Sequence, residues 1–126
     1  MIVLDSDALV EILDGTSVRG EKSMRKLIES GETVATTSIA THEVTYGLER
    51  HGKSTKEVAS FPTLPFDREA ALLSAKIEAD LEKVGETVQR ADTMIAAVTV
   101  RAGAKLHTYN LRHFERMRRF GLRLVS

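Results

Sequence analysis

Short β-branched runs alternate along this chain with stretches whose apolar residues recur at helical spacing, and that alternation admits few architectures. Ile2-Val3-Leu4 stops at Asp5, and Ser6 to Leu13 follows with helix-like periodicity ending at Asp14-Gly15. Thr16 or Ser17 can cap a second helix through Glu29, with Met24, Leu27 and Ile28 expected on its apolar face and Gly31 breaking it. A strand is expected from Thr33 to Thr36. Ser38 then stands where it can cap a helix carrying Ile39, Glu43, Tyr46 and Leu48, and Ser54-Thr55-Lys56-Glu57 has capping-box order for a short one. Thr63-Leu64-Pro65-Phe66 reads as an edge strand, because proline lacks a ladder donor. Asp67 caps a long helix from Arg68 to about Val84, with an expected stripe of Ala71, Leu72, Ala75, Ala79 and Leu81 and an end at Gly85. The helix from Ala91 to Arg101 is nearly all apolar in its middle, so it is expected to be the buried one, closed by Gly103. Lys105 to Thr108 reads as a strand, Asn110 as the cap of a short helix bearing Phe114 and Met117, and Leu122 to Val125 as the last strand.

Strands that alternate with helices predict an α/β fold: a mostly parallel central sheet of four or five strands with helices on both faces. At 126 residues the expectation is one domain spanning 1–126. No stretch approaches the ~20 apolar residues of a membrane span, and the N-terminus lacks the basic region and cleavage site of a secretory signal. Absence of cysteine excludes a disulfide framework and thiolate metal sites, which makes the cytoplasm the simplest expectation. Formal net charge is zero, so any affinity for nucleic acid must come from a local basic patch.

Ligands of parallel sheets collect at the carboxyl ends of the strands, where the strand order reverses. Asp5 ends the first strand, Asp92 opens the apolar helix, and Glu43 lies about one turn into the helix after the second strand, so all three can reach that rim. Acids at strand ends and helix starts also serve as simple caps. Converging carboxylates repel one another, and a divalent cation relieves the repulsion; hard oxygen donors without cysteine or paired histidines favour Mg2+ or Mn2+. Such a site suits phosphodiester hydrolysis. The basic run Arg112, Arg116, Arg118, Arg119 and Arg123, with His113 nearby, offers phosphate contacts, Arg112 and Arg116 being the candidates for substrate binding beside the acidic rim. His42, His51 and His107 show no metal-ligand spacing and are assigned no role.

Four motifs occur in order: Ile2-Val3-Leu4-Asp5-Ser6, Thr41-His42-Glu43-Val44, Arg90-Ala91-Asp92-Thr93-Met94-Ile95-Ala96-Ala97, and Thr108-Tyr109-Asn110-Leu111-Arg112-His113-Phe114. Together with Leu64-Pro65-Phe66-Asp67 and Gly121-Leu122 they span nearly the whole chain, which resembles the PIN-domain nucleases and among them the VapC-like toxins. The resemblance implies a PIN-like three-layer sandwich and a metal-dependent endoribonuclease, with Asp5, Glu43 and Asp92 holding Mg2+ (Mn2+ also serving) and Ser6 and Thr108 assisting by hydrogen bonds. Asn110 stands where many PIN domains carry aspartate; the amide keeps an acceptor but removes a charge, so it is either a weakened site residue or a helix cap. The resemblance further implies an RNA substrate, a small VapB-type antitoxin partner and a homodimer.

Asp5-Ser6-Asp7 also suggests the paired aspartates of haloacid-dehalogenase-like phosphatases, but Leu9 stands where that pattern needs a hydroxyl and no later double-acid motif follows. A response-regulator receiver domain needs an aspartate ending its third strand and a lysine ending its last, and neither Thr63 to Phe66 nor Leu122 to Val125 supplies one. Two readings stay open beside a toxin: a PIN nuclease of RNA processing, and a PIN-like binding module weakened at Asn110.

Overall fold

The computed structural model describes residues 1–125. Five parallel strands, β1 (Ile2–Leu4), β2 (Val34–Thr37), β3 (Thr63–Leu64), β4 (Lys105–His107) and β5 (Arg123–Leu124), form one sheet in the order β3-β2-β1-β4-β5. The α/β expectation holds, and the sheet is parallel throughout. Helices α1 (Ser6–Leu13) and α2 (Val18–Ser30) link β1 to β2; α3 (Ser38–Arg50) and α4 (Lys56–Ser60) link β2 to β3; α5 (Arg68–Lys83) and α6 (Arg90–Arg101) link β3 to β4; α7 (Leu111–Glu115) and a 3-10 turn (Arg118–Phe120) precede β5.

Alternation along β1 sends Ile2 and Leu4 to one face and Val3 to the other, and all three are buried because helices cover both sides. On one face Ile2 and Leu4 pack with Ala8, Leu9, Leu27, Val44 and Val58. On the other, Val3 and Leu106, paired in register, pack with Ile77, Leu81, Ile95, Phe114 and Met117. Each of these large side chains contributes roughly 1.5–3 kcal/mol by leaving water. The order of strands has a functional consequence. The chain leaves β1 toward β2 on one side and returns to β4 on the other, so the order reverses between β1 and β4, and their carboxyl ends open the crevice where ligands of such sheets bind.

Several elements depart from the sequence expectation, each for a local reason. The buried stripe of α5 is Ala70, Ser74, Ile77 and Leu81, while Leu72 is 63% exposed and Ala75 and Ala79 face solvent. Ser74 can lie inside because its hydroxyl pairs with that of Thr93 on α6 at 2.9 Å, so a polar residue continues the inward face. On α2 the inward residues are Gly20, Ser23 and Leu27, and Ile28 points to solvent. A Cβ on Gly20 would stand 1.9 Å from the Glu11 carbonyl oxygen, so α1 and α2 approach at a spacing only glycine allows. Thr37 rather than Ser38 caps α3, its hydroxyl accepting from the Ala40 N–H at 3.1 Å. Thr55 makes no side-chain cap, so the capping box before α4 does not form. Pro65 follows β3 at the sheet edge, where no ladder bond is lost.

Candidate active site at the sheet crossover

The crevice is built from the residues that follow β1 and β4. Asp5 has extended backbone and caps α1: its Oδ1 accepts from the Ser6 N–H at 2.8 Å. Its own N–H donates to the His107 carbonyl at 3.0 Å, which ties the end of β1 to the end of β4. One residue past β4, the Thr108 hydroxyl donates to Asp5 Oδ2 at 2.8 Å and accepts from the Asn110 N–H at 2.9 Å. The carboxylate is therefore held in place from both strands, and it is only 6% exposed. Burial, and then the neighbouring charge of Asp7, push the Asp5 carboxyl from 3.8 up to about 7; the Thr108 and Ser6 hydrogen bonds pull the other way, and Asp92 adds to the rise.

Asp92 sits in the first turn of α6, where the helix dipole favours negative charge. Burial nonetheless raises its pKa; His113 and Arg116 oppose the rise and Glu43 adds to it. Its Oδ2 is buried without a hydrogen-bond partner among the described residues. His113 Nδ1 stands 3.6 Å from that oxygen, beyond hydrogen-bond reach, and is engaged by the Asn110 side-chain nitrogen at 2.9 Å. Glu43, on α3, is exposed and accepts a bond from the Ser6 hydroxyl at 2.5 Å. Asp5 thus feels the charge of Asp92, and Asp92 that of Glu43, although among the described residues no three acidic or histidine side chains are drawn together as a ready-made ligand cage.

Of the other residues expected at the site, Ser6 and Thr108 lie in it by the bonds just given. Asn110 holds the N-cap position of α7 but makes no side-chain cap bond, because its amide is turned to His113. The arginines do not act as one patch. Arg112 and Arg116 line a cleft of about 530 Å3 with Glu86, Thr87, Gln89 and His113. Arg118 pairs with Glu115, Arg119 lies over the Phe120 ring, and Arg123 donates to the Gly103 carbonyl, and none of the three lines that cleft.

One residue at the rim escaped sequence reasoning, and a second was named there only as a neighbour of the basic run. Asp7, in the first turn of α1, takes the Tyr109 N–H at 3.2 Å on Oδ2 and lies 3.4 Å from the Thr108 hydroxyl on Oδ1, so it clamps the loop after β4 onto α1. The Asp5-Ser6-Asp7 spacing was the available signal. His113 gave none beyond its place in the basic run. His107, without a role from the sequence, is a packing residue: its Nε2 meets the Ser23 hydroxyl at 3.1 Å and its ring lies edge-on to Tyr109.

The family model described as PIN domain matches residues 2–119. The chain belongs to the PIN domain family. A curated relative, Ribonuclease VapC1 of Methanocaldococcus jannaschii, is 29% identical over 121 residues, covering 92% of this chain and 88% of the relative. Among solved structures, DNA-bound VapBC from Salmonella typhimurium aligns with a TM-score of 0.79 at 26% identity, covering 98% of this chain and 96% of that one. VapBC2 from Rickettsia felis, bound to a DNA fragment from its promoter, gives 0.79 at 22% identity and covers 99% and 98%. The PIN-like sandwich expected from the motifs is thus the fold, and the crevice between β1 and β4 is its crossover in this member of the family. No helix among the described residues is long and apolar enough to cross a membrane.

Proposed function

We propose that this chain is a metal-dependent endoribonuclease, the toxin of a toxin-antitoxin pair, and that Asp5, Glu43 and Asp92 hold Mg2+ or Mn2+ at the crossover. The observation that carries the reading is a buried aspartate, Asp5, and a half-buried one, Asp92, brought together from distant segments, both with raised pKa, the second with an oxygen that is buried and lacks a hydrogen-bond partner among the described residues. Such an arrangement is costly for a protein alone, since desolvated like charges oppose ionisation. A hard cation relieves it, and an all-oxygen donor set with no thiolate fits Mg2+ or Mn2+. Likeness to a ribonuclease supports the choice of RNA, and the VapBC neighbours support a small VapB-type antitoxin partner. A homodimer and a cytoplasmic location follow the same reading.

When bound, the cation supplies charge neutralisation at the scissile phosphate and a more acidic water. The chain's own residues do the positioning. Thr108 and the Ser6 N–H fix the Asp5 carboxylate, and the Ser6 hydroxyl holds Glu43 at the edge of the site. Asn110 holds His113, which faces both Asp92 and the cleft, so an RNA strand leaving the carboxylates meets His113 and then Arg112. Substrate contacts are thereby assigned to Ser6, Thr108, Arg112 and Arg116, with Asn110 completing the catalytic set. Inducible expression in a bacterial host tests the toxin reading. Growth arrest with RNA breakdown is expected from the native chain and not from Asp5→Asn; unimpaired growth at full expression of the native chain, without an antitoxin present, overturns it.

A further inference from the structure

The cleft beside Asp92 contains a charge arrangement that the site chemistry does not require. Arg116 is held at two atoms: its Nε donates to the His113 carbonyl at 3.0 Å and its Nη1 to Glu86 Oε2 at 2.9 Å. The side chain of Arg116 is 22% exposed and that of Glu86 is 42% exposed, so the carboxylate lies on the solvent side of the pair. Arg112, on the same wall, has no partner among the described residues. Gln89 also lines the cleft and, although it occupies the N-cap position of α6, makes no side-chain cap bond, which leaves its amide available. Arg116 is close enough to be felt by Asp92, so the cleft adjoins the carboxylate rim directly.

We infer that this cleft is a subsite for an RNA phosphate and that Glu86 is its built-in placeholder, an anion that keeps Arg116 oriented until a phosphate displaces it. The inference rests on the nuclease reading above and deepens it. An acidic rim repels a polyanion, so binding must draw on positive charge placed next to it, and here that charge is half neutralised in the free protein. Exchanging an exposed ion pair for a phosphate loses little, because such pairs contribute almost nothing in water, whereas guanidinium groups grip phosphate by paired, charge-assisted bonds. Arg112 supplies the first contact, Arg116 the second once Glu86 swings away, and Gln89 a neutral donor in the same cleft.

The test is the affinity of a short, labelled single-stranded RNA in chelator, measured by fluorescence anisotropy over a range of salt. Freeing Arg116 with Glu86→Gln is expected to tighten binding about threefold and steepen its salt dependence, and Arg112→Ala to weaken binding about fivefold and flatten the log–log slope by about 0.7. In an Arg116→Ala background Glu86→Gln should have no effect, since Glu86 acts through that arginine. Unchanged or weaker binding by Glu86→Gln, a gain that survives without Arg116, or a gain seen with a polyglutamate peptide and not with RNA overturns the inference. Metal-dependent cleavage by the native chain, assayed alongside, separates the two readings: cleavage without the Glu86→Gln gain sinks the placeholder alone, and the gain without cleavage sinks the nuclease alone.

Discussion

The Thr108 hydroxyl donates to Asp5 Oδ2 at 2.8 Å, joining residues 103 positions apart at the point where the strand order reverses. That bond crosses from β4 to β1, so the functional carboxylate is oriented by the same strand pairing that forms the centre of the sheet. The function of the crevice and the stability of the fold are coupled there, and the coupling has a sign that experiment can read.

Asp5 keeps its proton in the native chain up to about pH 7, whereas the unfolded chain releases it near 3.8. Between those values the native state binds more protons, so metal-free stability falls as pH rises through that window, by on the order of 4 kcal/mol. Asp5→Asn removes the penalty and keeps the α1 cap, and the Thr108 hydroxyl can turn its proton to Asp7. Thermal unfolding in chelator should show the native chain losing stability from pH 5 to pH 8 and Asp5→Asn losing far less. Parallel pH dependences would mean that Asp5 ionises freely.

Asp7 clamps the loop after β4 through the Tyr109 N–H, and through it the Thr108 hydroxyl that orients Asp5. Asp7→Ala removes both acceptors and should accelerate amide hydrogen exchange at Tyr109 and lower kcat about tenfold, roughly the cost of one lost hydrogen bond of about 1.4 kcal/mol. Asp7→Asn keeps an acceptor and should recover most of both. If the asparagine variant is as impaired as the alanine one, Asp7 acts by charge and not by position.

Asn110→Asp places a further carboxylate beside His113 and the unpartnered Asp92 oxygen. The expected result is tighter Mn2+ binding by calorimetry, together with lower metal-free stability at neutral pH because like charges are added to a desolvated rim. Unchanged Mn2+ affinity would place Asn110 outside the site.

Gly20→Ala drives a methyl group to within 1.9 Å of the Glu11 carbonyl, and neither backbone can yield without parting α1 from α2. Destabilisation of about 3 kcal/mol or more is expected by denaturant titration, with the variant's affinity for metal intact while it remains folded. A loss under about 1 kcal/mol would mean that the two helices slide apart easily.

Much of this was legible before the fold was known, and what was not has a common cause. Strand and helix order followed from local signals: β-branched runs, cap residues such as Ser17 and Asp67, and glycines such as Gly31 and Gly85, whose positive φ ends their helices. Asp5 and Asp92 could be placed on one rim because strand ends and helix starts share an edge of a parallel sheet. Residues whose role depends on the partner element were hidden. The inward stripe of α5 runs through Ser74, which a hydrophobic pattern rejects and Thr93 on α6 makes acceptable. The role of Asp7 depends on the loop after β4 arriving beside it, and that of Gly20 on α1 packing against it. Asn110 could be read as a cap or as a site residue, and what no local pattern showed is that its amide turns to His113 and makes no side-chain cap bond.

The proposal that Asp5 and Asp92 hold a cation for RNA cleavage is tested most directly by incubating a mixed pool of structured RNA with purified native chain and with Asp92→Asn, each in magnesium, manganese and chelator. Cleavage by the native chain in metal only, absent from a folded Asp92→Asn, is the predicted result. Equal cleavage by Asp92→Asn, or cleavage that persists in chelator, would overturn it.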